Sequence, residues 1–118
     1  PAEQLAPLRG LGAWLRVNGE AIYRTRPWLM PQTTTSAGTD VRFTARGGAV
    51  NAILLDVPER ELTLRGVDAT GVTGVRVLGL DGPTDWQVCD GALTVRLPER
   101  IPVSPAHVLA LSGDPRPA

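Results

Sequence analysis

The groups in this 118-residue chain that could carry chemistry are its twelve acidic residues, one histidine, one cysteine and three serines. Hydrolysis of a glycosidic bond needs two carboxylates facing each other across the sugar. Here Asp56, Asp68, Asp81, Asp85 and Asp90 fall at turns and strand ends, where aspartate favours turn geometry. Turn chemistry is the expected role of each. Glu59 and Glu61 flank Arg60 beside Pro58 and read as a solvated edge. Glu20 lies in the dense run Asn18-Gly19-Glu20-Ala21-Ile22-Tyr23, where a hydrogen bond to backbone or arginine is expected before catalysis.

His107 alternates with apolar residues and has no Ser, Cys or Asp at a recognisable spacing, so a strand histidine is expected. Ser36, Ser104 and Ser112 lie in Pro- or Gly-containing loops without the strained turn that exposes a nucleophile. Gly71-Val72-Thr73-Gly74 lacks the helix and lysine of a phosphate loop and reads as a strand turn. Cys89 has no partner for a disulfide, and no His/Cys spacing offers a metal site, so no cofactor or metal is expected. Trp28 and Trp86 are the candidates for sugar binding, since an exposed indole can stack on a sugar ring. The competing expectation fills the core with Trp86 and plugs a seam between units with Trp28. No motif in the chain is self-sufficient for catalysis.

Composition narrows the partners. Twelve basic residues balance the twelve acidic ones, and all twelve are arginine. Without a basic stripe, nucleic acid is not an expected partner. No apolar run approaches the roughly 20 residues of a membrane span, so no membrane partner is expected either. With three Trp, one Tyr and one Phe, the core must be built from Val, Leu, Ile and Ala.

The elements that would position these groups change character along the chain. Leu5, Leu8, Leu11 and Leu15 recur at helical spacing, and Asn18-Gly19 supplies a stop. Pro7 belongs in the first turn or kinks the helix. Glu20 to Thr25 reads as extended. Leu29 to Thr39, rich in Pro, Thr, Ser and Gly, reads as a linker or long loop. After Asp40 the period becomes two. Val41–Arg46, Ala49–Leu55, Glu61–Arg65, Val72–Leu80, Trp86–Val88, Leu93–Leu97 and Ala106–Leu111 read as strands. Gly47-Gly48, Asp81-Gly82-Pro83 and Asp90-Gly91 read as turns. Short strands without intervening helices predict a mainly β fold, an antiparallel sandwich of Greek-key type after one N-terminal helix. The expected division is a helix plus short strand over 1–30, a linker over 31–39, a β-sandwich over 40–113 and a tail over 114–118.

The run Leu11-Gly12-Ala13-Trp14-Leu15-Arg16-Val17-Asn18-Gly19-Glu20-Ala21-Ile22-Tyr23-Arg24-Thr25-Arg26-Pro27-Trp28 resembles the end of the catalytic domain in the α-L-fucosidases of glycoside hydrolase family 29. Its pattern there is a Gly-x-Trp-Leu helix, then Asn-Gly-Glu-Ala-Ile-Tyr and a Pro-Trp pair. Val41-Arg42-Phe43-Thr44, the strand at Ala49 to Leu55, Val77-Leu78-Gly79 before Trp86, and Leu97-Pro98 are similar to that family's C-terminal β-sandwich domain. Asn51, where an aromatic is expected, and Arg24, where Gly is common, depart from the pattern.

The resemblance implies a parent that hydrolyses α-L-fucosides with retention, using an Asp nucleophile and a carboxylic acid/base from barrel segments upstream of this run. No residue of this chain matches a catalytic position, so the chain alone is expected to be inactive. Expected partners are the parent's catalytic barrel and, through it, a fucosylated glycan. A barrel needs roughly 250 residues, so residues 1–30 are at most its last helix and strand. The leucine stripe is then expected to pack on the sandwich or on a second copy of the chain. A carbohydrate-binding module using Trp28 or Trp86, and an intact small enzyme, are the competing readings.

Overall fold

A computed structural model describes residues 12–19, 22, 25–46, 49–56, 58, 60–80, 84–98 and 106–118. Residues 12–18 are helical, here called α1. The described strands are β1 (Arg26–Thr34), β2 (Asp40–Arg46), β3 (Ala49–Leu54), β4 (Glu61–Thr63), β5 (Val67–Val77), β6 (Asp85–Cys89), β7 (Ala92–Arg96) and β8 (His107–Pro117). They form a five-stranded sheet in the order β1-β2-β3-β8-β5 and a three-stranded sheet in the order β4-β7-β6. All the ladders are antiparallel. The mainly β sandwich, with one helix among the described residues, is the fold class that the alternating runs predict.

Alternation decides which face each strand buries, because successive side chains point to opposite sides of a sheet. Val41 and Phe43 of β2, and Val50, Ala52 and Leu54 of β3, enter the main core from the larger sheet. Leu62 of β4, with Leu93 and Val95 of β7, enters it from the smaller one. Trp28 completes this core against Phe43, ring centroids 5.0 Å apart and planes tilted by 59°. Such tilted aromatic pairs add about 0.5–1.5 kcal/mol beyond their burial.

Three readings of local structure are corrected. The stretch 31–39, expected as a linker, carries the second half of β1, with Gln32, Thr33 and Thr34 paired to Arg42, Val41 and Asp40. An outermost strand satisfies its backbone on one side only, so it tolerates the prolines and polar side chains that imitate a loop. Pro31 falls where the ladder shifts register between Pro27 and Gln32. The stretch 114–118, expected as a tail, continues β8, with Arg116 opposite Asp68 and Pro117 opposite Val67. Gly71 to Gly74, expected as a turn, lies inside β5, whose register shifts between Asp68 and Gly71 and again between Val72 and Gly74. Bulges absorb extra residues without ending a strand, and glycine accommodates the crowding: a Cβ on Gly71 would lie 2.7 Å from the Asp114 carbonyl oxygen.

The hairpin from β6 to β7 turns at Asp90-Gly91, as read, with φ of 50° and 82°. Two consecutive positive φ values fit a turn that matches strand twist. Leu5, Leu8, Leu11, Glu20, Ser104 and the turns at Gly47-Gly48 and Asp81-Gly82-Pro83 lie outside the described residues.

Candidate functional site

Among the described residues the groups able to do acid–base chemistry are dispersed, and three of the carboxylates, Asp68, Glu61 and Asp114, are engaged with neighbours. The Asp68 carboxylate accepts hydrogen bonds from the Thr70 hydroxyl at 2.6 Å and the Thr70 N–H at 3.0 Å. Those bonds, the hydroxyl's first, hold its pKa below the usual carboxylate range. Glu61 pairs with Arg96 across the ladder at 3.2 Å, and Asp114 pairs with Arg116 at 3.0 Å, both on open surface. Such exposed pairs are structural trim. His107 is half-buried at the start of β8, and desolvation there lowers its pKa. Ser36 sits in a turn, where its backbone N–H donates to the Thr63 carbonyl at 2.9 Å. Among the described residues, no group of three or more His, Cys, Asp or Glu side chains could hold a metal ion.

The two aromatic candidates are placed inward. Trp28 is only 9% exposed and belongs to the main core, so its faces are covered. Trp86 is half-buried and packs against the same core, opposite Val95 in the smaller sheet. The structure does not bring the two together on an open face.

What the fold builds instead is a seat for the helix. Ile53 of β3, Val108 and Ala110 of β8, and the flanking Leu78 and Ala106 form a second buried apolar cluster with Trp14 packed against it. These strand residues alternate with the core residues Ala52, Leu54, Leu109 and Leu111, so they lie on the outer face of the larger sheet. The indole Nε1–H of Trp14 donates to the Ala106 carbonyl oxygen at 2.9 Å. Amphipathic anchoring of this kind buries the ring and still satisfies its one donor. Asn18 ends the helix by donating from Nδ2 to the Trp14 carbonyl at 3.2 Å, and the Ile22 N–H bonds the Gly19 carbonyl at 2.9 Å.

Val17 closes the other end of the seat. Gly79 follows β5 at φ +85°, and a Cβ there would fall 2.5 Å from Val17 Cγ1. Only a residue without a side chain allows α1 to approach that closely. Asn51, on the same outer face, is buried and donates from Nδ2 to Thr44 Oγ1 at 3.4 Å. Reading for helical leucines missed Trp14 as an anchor. The signal was a tryptophan one residue off the leucine stripe, together with apolar residues at Val108 and Ala110 on the face of β8 that the main core does not use.

No family model matches the chain. Over 112 residues it is 37% identical to an alpha-L-fucosidase of Branchiostoma floridae and 35% identical to the tissue alpha-L-fucosidase of Homo sapiens. Each match covers 90% of this chain and 24% of the relative. Among solved structures, the alpha-fucosidase of Thermotoga maritima bound to a mechanism-based inhibitor superposes with a TM-score of 0.79 at 28% identity. It is covered over 27% of its chain by 95% of this one. Alpha-L-fucosidase isoenzyme 1 from Paenibacillus thiaminolyticus gives 0.76 at 25% identity, with 97% of this chain on 27% of that one. The chain thus spans about a quarter of the length of the curated relatives it matches, and its counterpart is part of a larger protein that includes a catalytic domain.

Proposed function

This chain matches the C-terminal portion of the family 29 α-L-fucosidases, and we propose that it acts there as an accessory domain that buttresses the catalytic barrel. The observation that carries this is the seat of α1: Trp14 joins the helix to the outer face of the sandwich by its indole hydrogen bond and by the cluster around Val108. A helix held this way ties whatever precedes it to the sandwich. On this reading the parent hydrolyses α-L-fucosides with retention. Its nucleophile and acid/base come from the barrel, and a fucosylated glycan meets this chain only through the parent. The dispersion of Asp68, Glu61, Asp114 and His107 supports an accessory role over an intact small enzyme.

The division of the chain shifts on this reading. β1 pairs with β2, so the sandwich begins at Arg26 rather than after a linker at 31–39, and residues 114–118 belong to it through β8. The helix surface around Trp14 is used within the chain, which favours the sandwich over a second copy as its partner. A carbohydrate-binding role for Trp28 and Trp86 would require open ring faces, and the burial of Trp28 speaks against it.

The test is a chromogenic α-L-fucoside offered to the full-length protein and, separately, to this 118-residue chain. Turnover by the first alone is expected. Turnover by the chain alone would sink the accessory reading.

A further inference from the structure

The chain holds two asparagines, Asn18 and Asn51, and both are buried. Asn51 is followed by Ala52 inside β3, whereas Asn18 is followed by Gly19 at the end of α1. A glycine has no Cβ, so it leaves its backbone nitrogen unshielded and free to turn. That nitrogen can attack the Cγ of the asparagine before it. The N–Cγ bond forms as the N–H proton is lost, the Cγ–Nδ2 bond breaks, and the side-chain amide leaves as ammonia. Water then opens the five-membered imide to aspartate or isoaspartate, and no other co-reactant is needed.

Three features of the folded chain hold this reaction off. Asn18 is the last residue of α1, and a helical ψ of about −42° keeps the next nitrogen away from Cγ. Its Nδ2, the leaving group, donates to the Trp14 carbonyl at 3.2 Å, which fixes the side chain. The Gly19 carbonyl accepts from the Ile22 N–H at 2.9 Å, and Gly19 is itself buried, so the turn that would have to rotate is pinned. A protein helix takes most of its stability from packing rather than from propensity. All three features therefore depend on the Trp14 indole staying on Ala106 and on the cluster around Val108.

We propose that Asn18-Gly19 is a deamidation site gated by the Trp14 seat, closed while α1 is docked and reactive when α1 lifts away. The product opposes return to the docked state. An acid at position 18 no longer donates to the Trp14 carbonyl at neutral pH. It also places negative charge at the C-terminal end of a helix, where the dipole is already negative, and at a site only 5% exposed. The seat is thus a latch that records its own openings. This rests on the geometry of the seat and is independent of the accessory-domain reading.

Peptide mass spectrometry tests it. The intact protein is incubated at mildly alkaline pH, and cleavage after Arg16 and Arg24 releases residues 17–24. The mass gain of an amide turned acid reports Asn18 alone in that peptide. Conversion should run about tenfold or more faster in Trp14→Ala than in the unsubstituted protein, because local opening sets the reactive fraction. Trp28→Ala, which empties the main core instead, should move it far less. Equal rates with and without the Trp14 ring overturn the proposal. Equal acceleration in Trp28→Ala also overturns it and makes global unfolding the gate. Trp14→Phe, which keeps most of the apolar contact, should give an intermediate rate, and a rate no faster than the unsubstituted protein counts against the gate. Gly19→Ala in the Trp14→Ala background should slow conversion about tenfold or more, since a Cβ then shields the attacking nitrogen. An undiminished rate would mean direct hydrolysis and sink the mechanism. For the latch, Asn18→Asp should raise hydrogen exchange of the α1 amides about tenfold or more, and unchanged exchange would remove it.

Discussion

Trp14 and Ala106 are separated by 92 residues of sequence and joined by a 2.9 Å hydrogen bond from indole to carbonyl. That single contact fixes where the helix meets the sandwich, and the apolar cluster of Ile53, Leu78, Val108 and Ala110 fixes how it lies there. The consequences can be measured residue by residue.

Trp14→Phe keeps most of the apolar contact and removes the donor, leaving the Ala106 carbonyl without this bond. A loss of about 1 kcal/mol is expected, the usual net worth of one such bond. Trp14→Ala removes the ring as well, for about 3–5 kcal/mol if the seat is as well packed as a core. Chemical unfolding of this chain measures both, and equal losses for the two variants would show that the hydrogen bond alone carries the seat.

Gly79→Ala places a Cβ against Val17 and puts a side chain at φ +85°. The left-handed conformation alone costs about 1–2 kcal/mol for a non-glycine residue. Val17→Ala should recover part of the clash but none of the backbone penalty. A double-mutant cycle separates the two, with a coupling of about 0.5 kcal/mol or more expected for residues in contact. Additive losses would mean that α1 does not approach Gly79 so closely.

Trp28→Ala empties a core position beside Phe43 and should cost about 3–5 kcal/mol. Trp86→Ala, at a half-buried site, should cost less. Thermal melts rank the two. A Trp28→Ala protein as stable as the parent chain would mean that the ring is not part of the core.

Acid should destabilise the fold through two groups. The folded pKa of His107 is depressed by desolvation, so the unfolded chain takes up the proton first. Stability from its neutral form is complete above the unfolded value of about 6.5 and is lost as pH falls through it towards the folded value. Asp68 is also depressed, by Thr70, so its contribution is present above the unfolded value of about 3.9 and lost as pH falls through its folded pKa. Melting temperature should therefore fall from pH 7 to 5, and His107→Gln should flatten that slope. Thr70→Val should flatten the fall below pH 4. An unchanged slope in His107→Gln would remove the histidine from the account.

Alternation and turn residues are enough to set the class of fold and the side that each well-formed strand buries. Alternation at Val41–Phe43 and Leu93–Val95 is dictated by a half-buried sheet, and Asp90-Gly91 can adopt the turn that two positive φ values require. The contiguous run from Leu11 to Trp28 also carries the resemblance to the fucosidase relatives. The remaining features depend on partners distant along the chain, so local pattern does not reveal them. β1 looked like a linker since an edge strand is stabilised by β2's backbone and not by its own side chains. The end of β8 looked like a tail since its pairing to Val67 and Asp68 depends on two bulges in β5. The indole of Trp14 gave no hint of its acceptor, because a carbonyl 92 residues away is chosen by the fold that brings it there.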